Sequence, residues 1–142
     1  MKRDRFVLYA DGAARGNPGP AGAGAVLLGP DGAVVAELTR PLGRATNNVA
    51  EYSALILGLE EALRRGVTSI EVRMDSLLVV EQMRGRWRIR HPGLKDLALR
   101  AGALLASFPD RDISHVPREE NAYADMLSNR AIDVSASVER SP

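Results

Sequence analysis

The 142-residue sequence contains no cysteine. Disulfides and thiolate metal sites are thereby excluded, and the composition fits a reducing interior. Long hydrophobic runs are missing too. No stretch of about 18 apolar residues occurs, so nothing is expected to span a membrane. The opening "MKRDRFVLYADG" is charged but turns directly into a strand-like pattern, too short in apolar residues for a secretory leader. A cytoplasmic location is the expectation. Charge of one sign is scarce: the formal net charge is only +1. That total does not point to a polyanion, but local distribution matters more. "RGRWRIRH" gathers Arg84, Arg86, Arg88 and Arg90 around Trp87, with His91 and no acid. Such a stripe suits a polyanion on one face; a solvated connection with Trp87 packed inward is the alternative.

What is present describes an ordinary soluble domain. Apolar residues make up 45% and charged residues 26%, as in globular proteins generally. The length fits one domain, 1–142, with a core over about 4–136. "RFVLYAD" alternates as a strand. "AGAGAVLLG" and "AVVAELTR" flank the turn "GPDG" and predict a hairpin. Val49, Tyr52, Ile56, Leu59 and Leu63 fall at helical spacing, and Gly66 ends that helix. "SIEVRMD" returns to strand alternation. "SLLVVEQMRG" and "PGLKDLALRAGALLASF" predict two helices, "DISHV" a short strand, and "ENAYADMLSNRAIDVSA" a last helix, with "SVERSP" frayed. The order βββαβααβα implies an α/β fold. Its mixed five-stranded sheet has three antiparallel strands, then two parallel ones, with helices on both faces.

Four carboxylates stand out, each with an ordinary explanation. Asp11 suits an Asp-Gly turn. Glu51 stands three residues after Asn48, as in a capping box. Asp75 precedes a helix and suits an N-cap. Asp125 sits inside a helix, where acids usually face solvent. Together they read differently. Asp11 and Asp75 end strands that neighbour if the sheet is mixed, and Glu51 at a helix N-terminus reaches the same edge. Carboxylates so grouped repel unless cations are present. All-oxygen ligands suit Mg²⁺, and the set suits two-metal phosphodiester hydrolysis. A phosphate-cradling P-loop fits poorly: "GAARGNPGPAG" lacks Lys-Ser/Thr, and a strand follows it.

The blocks "YADGAARGNPGPAGAGAVL", "GRATNNVAEYSALILGL", "VRMDSLLVVEQM" and "HVPREENAYADMLSNRA" resemble, in order, the four motif blocks of type 1 ribonuclease H. They span Tyr9 to Ala131. The resemblance implies a ribonuclease H-like fold and an endonuclease that cuts the RNA strand of RNA/DNA hybrids. It implies two Mg²⁺ or Mn²⁺ ions and products with 5′-phosphate and 3′-hydroxyl ends. Asp11, Glu51, Asp75 and Asp125 become the implied metal ligands: Asp11 bridges both ions, Asp125 serves the nucleophile side, and Glu51 and Asp75 serve the other. His115 matches the family's loop histidine, whose implied role is to assist proton transfer or product release; a polar residue at a strand end is its other reading. Arg118 matches an arginine that shares that role in a bacterial and archaeal subgroup with a shorter, glycine-free loop.

The same blocks imply substrate contacts. Asn17, Asn47 and Asn48 resemble groove contacts, and Arg44 with Thr46 resembles a DNA phosphate pocket; helix capping is the other reading of Thr46 to Asn48. Backbone at Ala14 and Gly16 is placed to read RNA 2′-hydroxyls. The chain departs from many relatives in lacking the basic handle helix after the Asp75 block. Arg86, Trp87 and Arg88 stand in for its phosphate charge and flat surface. The partners implied are a hybrid duplex and, for a handle-less member, double-stranded RNA. A monomer without membrane contact is expected. A non-catalytic hybrid-binding module is the competing reading, and a missing carboxylate would have favoured it.

Overall fold

The computed structural model describes residues 5–139, with side chains as far as Ser135. Five strands form one sheet: β1 (Phe6–Ala14), β2 (Gly19–Leu28), β3 (Val34–Ala45), β4 (Ser69–Met74) and β5 (Asp110–His115). The helices are α1 (Asn47–Arg64), α2 (Leu77–Met83), α3 (Pro92–Ala106) and α4 (Ala122–Glu139), the last preceded by a 3-10 turn at Arg118–Asn121. Helix continues into the expected frayed end as far as Glu139; Arg140–Pro142 lie outside the described residues. No helix among the described residues is long and apolar enough to cross a membrane.

The strand order is β3-β2-β1-β4-β5. β1 pairs antiparallel with β2, and β2 with β3, while β4 runs parallel to both β1 and β5. The expected mixed sheet is therefore present, because α1 carries the chain across from β3 to β4 in a parallel crossover. Residue parity shows how it is covered. Leu8 and Ala10 of β1, and Ala23, Ala25 and Leu27 of β2, join one hydrophobic core with Tyr52, Leu55 and Leu59 of α1. The alternate residues Gly22 and Gly24 face α4 instead. Helices thus lie on both faces. Leu8, Leu55, Leu59 and Leu127 are fully buried, each contributing about 1.5–3 kcal/mol relative to exposure.

Two boundaries differ from expectation. β1 does not stop at Asp11 but pairs with β2 as far as Ala14, because residues as small as Gly12, Ala13 and Ala14 fit the ladder. β3 continues past Arg40 to Ala45, against the small residues of β2. Each extension lengthens the sheet beside the acidic residues.

Candidate active site

The β1–β4 register sets the first pair of acids together. Tyr9 pairs with Arg73, and continuing the parallel register by two residues places Asp11 opposite Asp75. Glu51 arrives from α1, and Gly12 permits it. A Cβ on Gly12 would stand 2.1 Å from the carbonyl carbon of Ala50 and 2.3 Å from the Glu51 nitrogen. Only a residue without a side chain lets the helix approach so closely. α4 comes down on the other face by the same device: a Cβ on Gly24 would lie 2.4 Å from the Ser128 nitrogen. The small residues of "YADGAARGNPGPAGAG" thus serve first to seat two helices. Gly16, at φ +115°, lies in the reversal between β1 and β2, where only glycine is at ease.

The capping explanations do not hold for the acids. Thr46, not Asn48, caps α1: its Oγ1 accepts from the Val49 N–H at 3.3 Å. Ser76, not Asp75, caps α2, accepting from Val79 N–H at 3.3 Å. Asp11 lies within a strand rather than a turn. Glu51 and Asp75 are left with no capping duty.

Carboxylate oxygens of Asp11, Glu51 and Asp75 lie within 4.8 Å of one another. Asp11 is only 5% exposed. Burial first, then the Glu51 and Asp75 charges and hydrogen bonding with Asp125 and Glu51, push its carboxyl up to about 10. Glu51 rises to about 8 through burial and the Asp75 charge, although hydrogen bonds from Asp11 and the Gly12 backbone pull the other way. A protonated Asp11 donating to Glu51 satisfies both directions. Even so, Glu51 Oε2 is buried with no hydrogen-bond partner. An orphaned carboxylate oxygen amid an all-oxygen donor set is what a hard divalent cation such as Mg²⁺ fits. The three residues form a group able to hold a divalent metal ion.

The acids open into a cleft of about 560 Å³ whose walls include Asp125, Arg118, Asn47, Asn48 and Ala14. Asn17 is exposed and joined to this wall, its Oδ1 accepting from the Asn47 N–H at 3.1 Å. Several expected residues do not line the cleft. His115 is exposed at the end of β5, and Arg44 is exposed on β3 near Thr46. The basic segment lies beyond α2. Trp87 is 45% exposed, so the packed-core alternative for it fails. Arg86 pairs with Glu81 at 3.6 Å. The Arg88 carbonyl accepts from Gln82 at 3.2 Å, and Gln82 in turn accepts from buried Tyr52 at 2.6 Å. That segment is tethered to the core, one residue from Glu51.

Some site residues were not singled out from the sequence. Buried Asn121 donates to the Ala10 carbonyl at 3.0 Å and to Asp75 Oδ1 at 3.2 Å. Asn129 and Arg15 also line the cleft, as does Ser76. The legible signal was spacing: Asn121 and Asn129 flank Asp125 at four residues on either side, one helical turn each way.

This sheet order, with acids gathered where the parallel β1–β4 ladder ends, defines the ribonuclease H-like class of α/β proteins. Residues 9–131 match the family model described as reverse transcriptase-like. The bifunctional protein Rv2228c of Mycobacterium tuberculosis is 52% identical over 93% of this chain, which spans only 36% of that relative's length. Ribonuclease HI of Halobacterium salinarum is 52% identical over 91% of the chain and 65% of its own. The solved N-terminal RNase H domain of Rv2228c superposes with a TM-score of 0.91 at 50% identity, covering 96% of this chain and 99% of that one. LC11-RNase H1, solved in complex with an RNA/DNA hybrid, gives 0.87 at 42% identity, covering 92% and 99%. The chain belongs to the type 1 ribonuclease H family, close to its bacterial and archaeal members.

Proposed function

We propose that this chain is a metal-dependent endonuclease that hydrolyses the RNA strand of RNA/DNA hybrids. The observation that carries the reading is the meeting of three carboxylates from β1, α1 and β4, within 4.8 Å. Burial raises the pKa of Asp11 and of Glu51, which makes the group costly without a cation. The hybrid bound by LC11-RNase H1 supports the substrate class. The chain covers only about a third of its mycobacterial relatives, so the reading concerns the chemistry of this region, which we take to be one ribonuclease H unit.

In this reading Asp11, Glu51, Asp75 and Asp125 would hold two Mg²⁺ or Mn²⁺ ions. Bound cations of this kind activate water and stabilise the charge of a leaving oxygen. Every other task falls to the chain. Asn121 holds Asp75 against β1. Asn47 and Asn48, at the mouth of the cleft, contact the duplex groove. Ala14 presents backbone toward the RNA strand, where 2′-hydroxyls distinguish RNA from DNA. Arg118 reaches the cleft from the turn before α4 and neutralises phosphate charge there. Cleavage leaves 5′-phosphate and 3′-hydroxyl ends. Arg86, Trp87 and Arg88 extend the contact along the duplex beyond the cleft.

The test is a labelled panel of RNA/DNA hybrid, double-stranded RNA and a duplex with one ribonucleotide, each with Mg²⁺ or Mn²⁺. Cleavage of the hybrid, lost in Asp75→Asn, is the expected result. A parent protein that binds the hybrid without turnover contradicts the reading and favours a binding module.

A further inference from the structure

Asp11, Glu51 and Asp75 are brought together by the backbone: the β1–β4 register and the approach of α1 to Gly12 fix where they sit, and Asn121 holds the Asp75 carboxylate. Asp125 is different. It rides in the first turn of α4, on the opposite face of the sheet from α1, and is not one of the three residues within 4.8 Å. Its aim depends on side chains. Asn129, one turn further on, donates from Nδ2 to the Asp125 carbonyl at 3.0 Å and to Asp125 Oδ1 at 3.3 Å. The other end of that carboxamide is also held. Asn129 Oδ1 accepts from Arg15 Nη2 at 3.3 Å, and Arg15 Nη1 donates to Asp133 Oδ1 at 2.7 Å.

The donor and acceptor chemistry allows one arrangement. A guanidinium only donates, so the Asn129 oxygen must face Arg15. Its NH₂ must then face Asp125, where the backbone carbonyl and a carboxylate oxygen accept. The amide is fixed in one of its two flips by partners at both ends. The relay also joins two parts of the chain distant in sequence. Arg15 follows β1, and its own N–H donates to the Pro20 carbonyl at 2.8 Å, which fixes the loop. Asn129 and Asp133 belong to α4. Arg15 and Asn129 both line the cleft, so the relay runs along its wall.

We propose that Asn129, held by Arg15, is the positioning residue that aims Asp125. It commits Oδ1 to the helix and leaves the other carboxylate oxygen for a divalent cation. This rests on the metal-dependent reading above and deepens it. Asn129 acts through Asp125. Hydrogen-bond partners of metal-holding side chains typically change metal affinity by about 10- to 100-fold when removed. Asp133 acts one step further out, at 64% exposure, and its effect is smaller because exposed ion pairs hold their partners weakly.

The experiment measures Mn²⁺ binding without substrate, by electron paramagnetic resonance, for the parent, Asn129→Ala and Asp133→Ala. Hybrid cleavage is followed in parallel against Mg²⁺ concentration. Asn129→Ala is expected to weaken one class of Mn²⁺ site by about tenfold. Its cleavage recovers toward the parent rate at high Mg²⁺, with KM for the hybrid unchanged. Asp133→Ala, an exposed change compatible with folding, shifts the same site in the same direction by less. If both variants bind Mn²⁺ as the parent does, or if lost activity is not recovered by added metal, the assignment is wrong. Failure of the parent itself to bind Mn²⁺ or to cut the hybrid overturns the underlying reading as well. A parent that cuts, with variants unchanged, overturns only the role of Asn129.

Discussion

Replacing Asp11 by asparagine should make the metal-free protein more stable while abolishing cleavage. The buried carboxyl stands at about 10 in the fold against an ordinary 3.8. Between those values the folded chain keeps a proton that the unfolded chain has released. Stability is therefore greatest below about pH 4, falls as pH rises, and stops falling only above about pH 10. At pH 7 the loss is set by the distance from 3.8 to 7 rather than by the perturbed value. At about 1.4 kcal/mol per pH unit the ceiling is about 4 kcal/mol. Asparagine has no proton to hold, and its Nδ2 can donate to Glu51 as the protonated acid does. Asp11→Asn should gain about 2–4 kcal/mol in denaturant unfolding with a chelator at pH 7. The gap should widen between pH 5 and 8, disappear near pH 4, and shrink when Mg²⁺ is added, since the cation stabilises only the parent. A variant no more stable than the parent with chelator, or a gap independent of pH, would refute the reasoning.

Gly12→Ala drives a methyl into the backbone of Ala50. It should cost about 3 kcal/mol or more in denaturant melts and lower cleavage by displacing Glu51; a parent-like melt contradicts that packing. Arg118 lines the cleft and His115 does not. Arg118→Ala should therefore lower kcat by about tenfold to a hundredfold and His115→Ala by much less; the reverse order in steady-state kinetics would reassign the role. Arg88→Ala, on the tethered basic segment, should raise KM for the hybrid with little change in kcat and reduce the slope of log affinity against log salt by about one. An unchanged slope removes that segment from the duplex interface.

Much of this architecture was legible because periodicity carries it. The alternation in "RFVLYAD" and "SIEVRMD", and the helical spacing from Val49 to Leu63, gave the element order. The order in turn placed Asp11 and Asp75 on neighbouring parallel strands. Local chemistry misled where two neighbours competed for one duty. Asn48 and Thr46 both suit an N-cap, as do Asp75 and Ser76, and in each case the hydroxyl took it. The glycines of the first block carry no periodic signal of their own. Gly12 and Gly24 are instead set by the approach of α1 and α4, contacts between segments far apart in sequence. Asn121 and Asn129 were missed for the same reason: their partners include Ala10, Asp75 and Arg15 across the fold.

The central claim is that these carboxylates exist to hold divalent cations in the cleft. Anomalous diffraction from crystals grown with Mn²⁺ tests it most directly. Two peaks are expected in the cleft, both within bonding distance of Asp11, one also touching Glu51 and Asp75 and the other Asp125. A cleft without Mn²⁺ at saturating concentration, or ions bound only outside it, would mean that these carboxylates do not hold the metal.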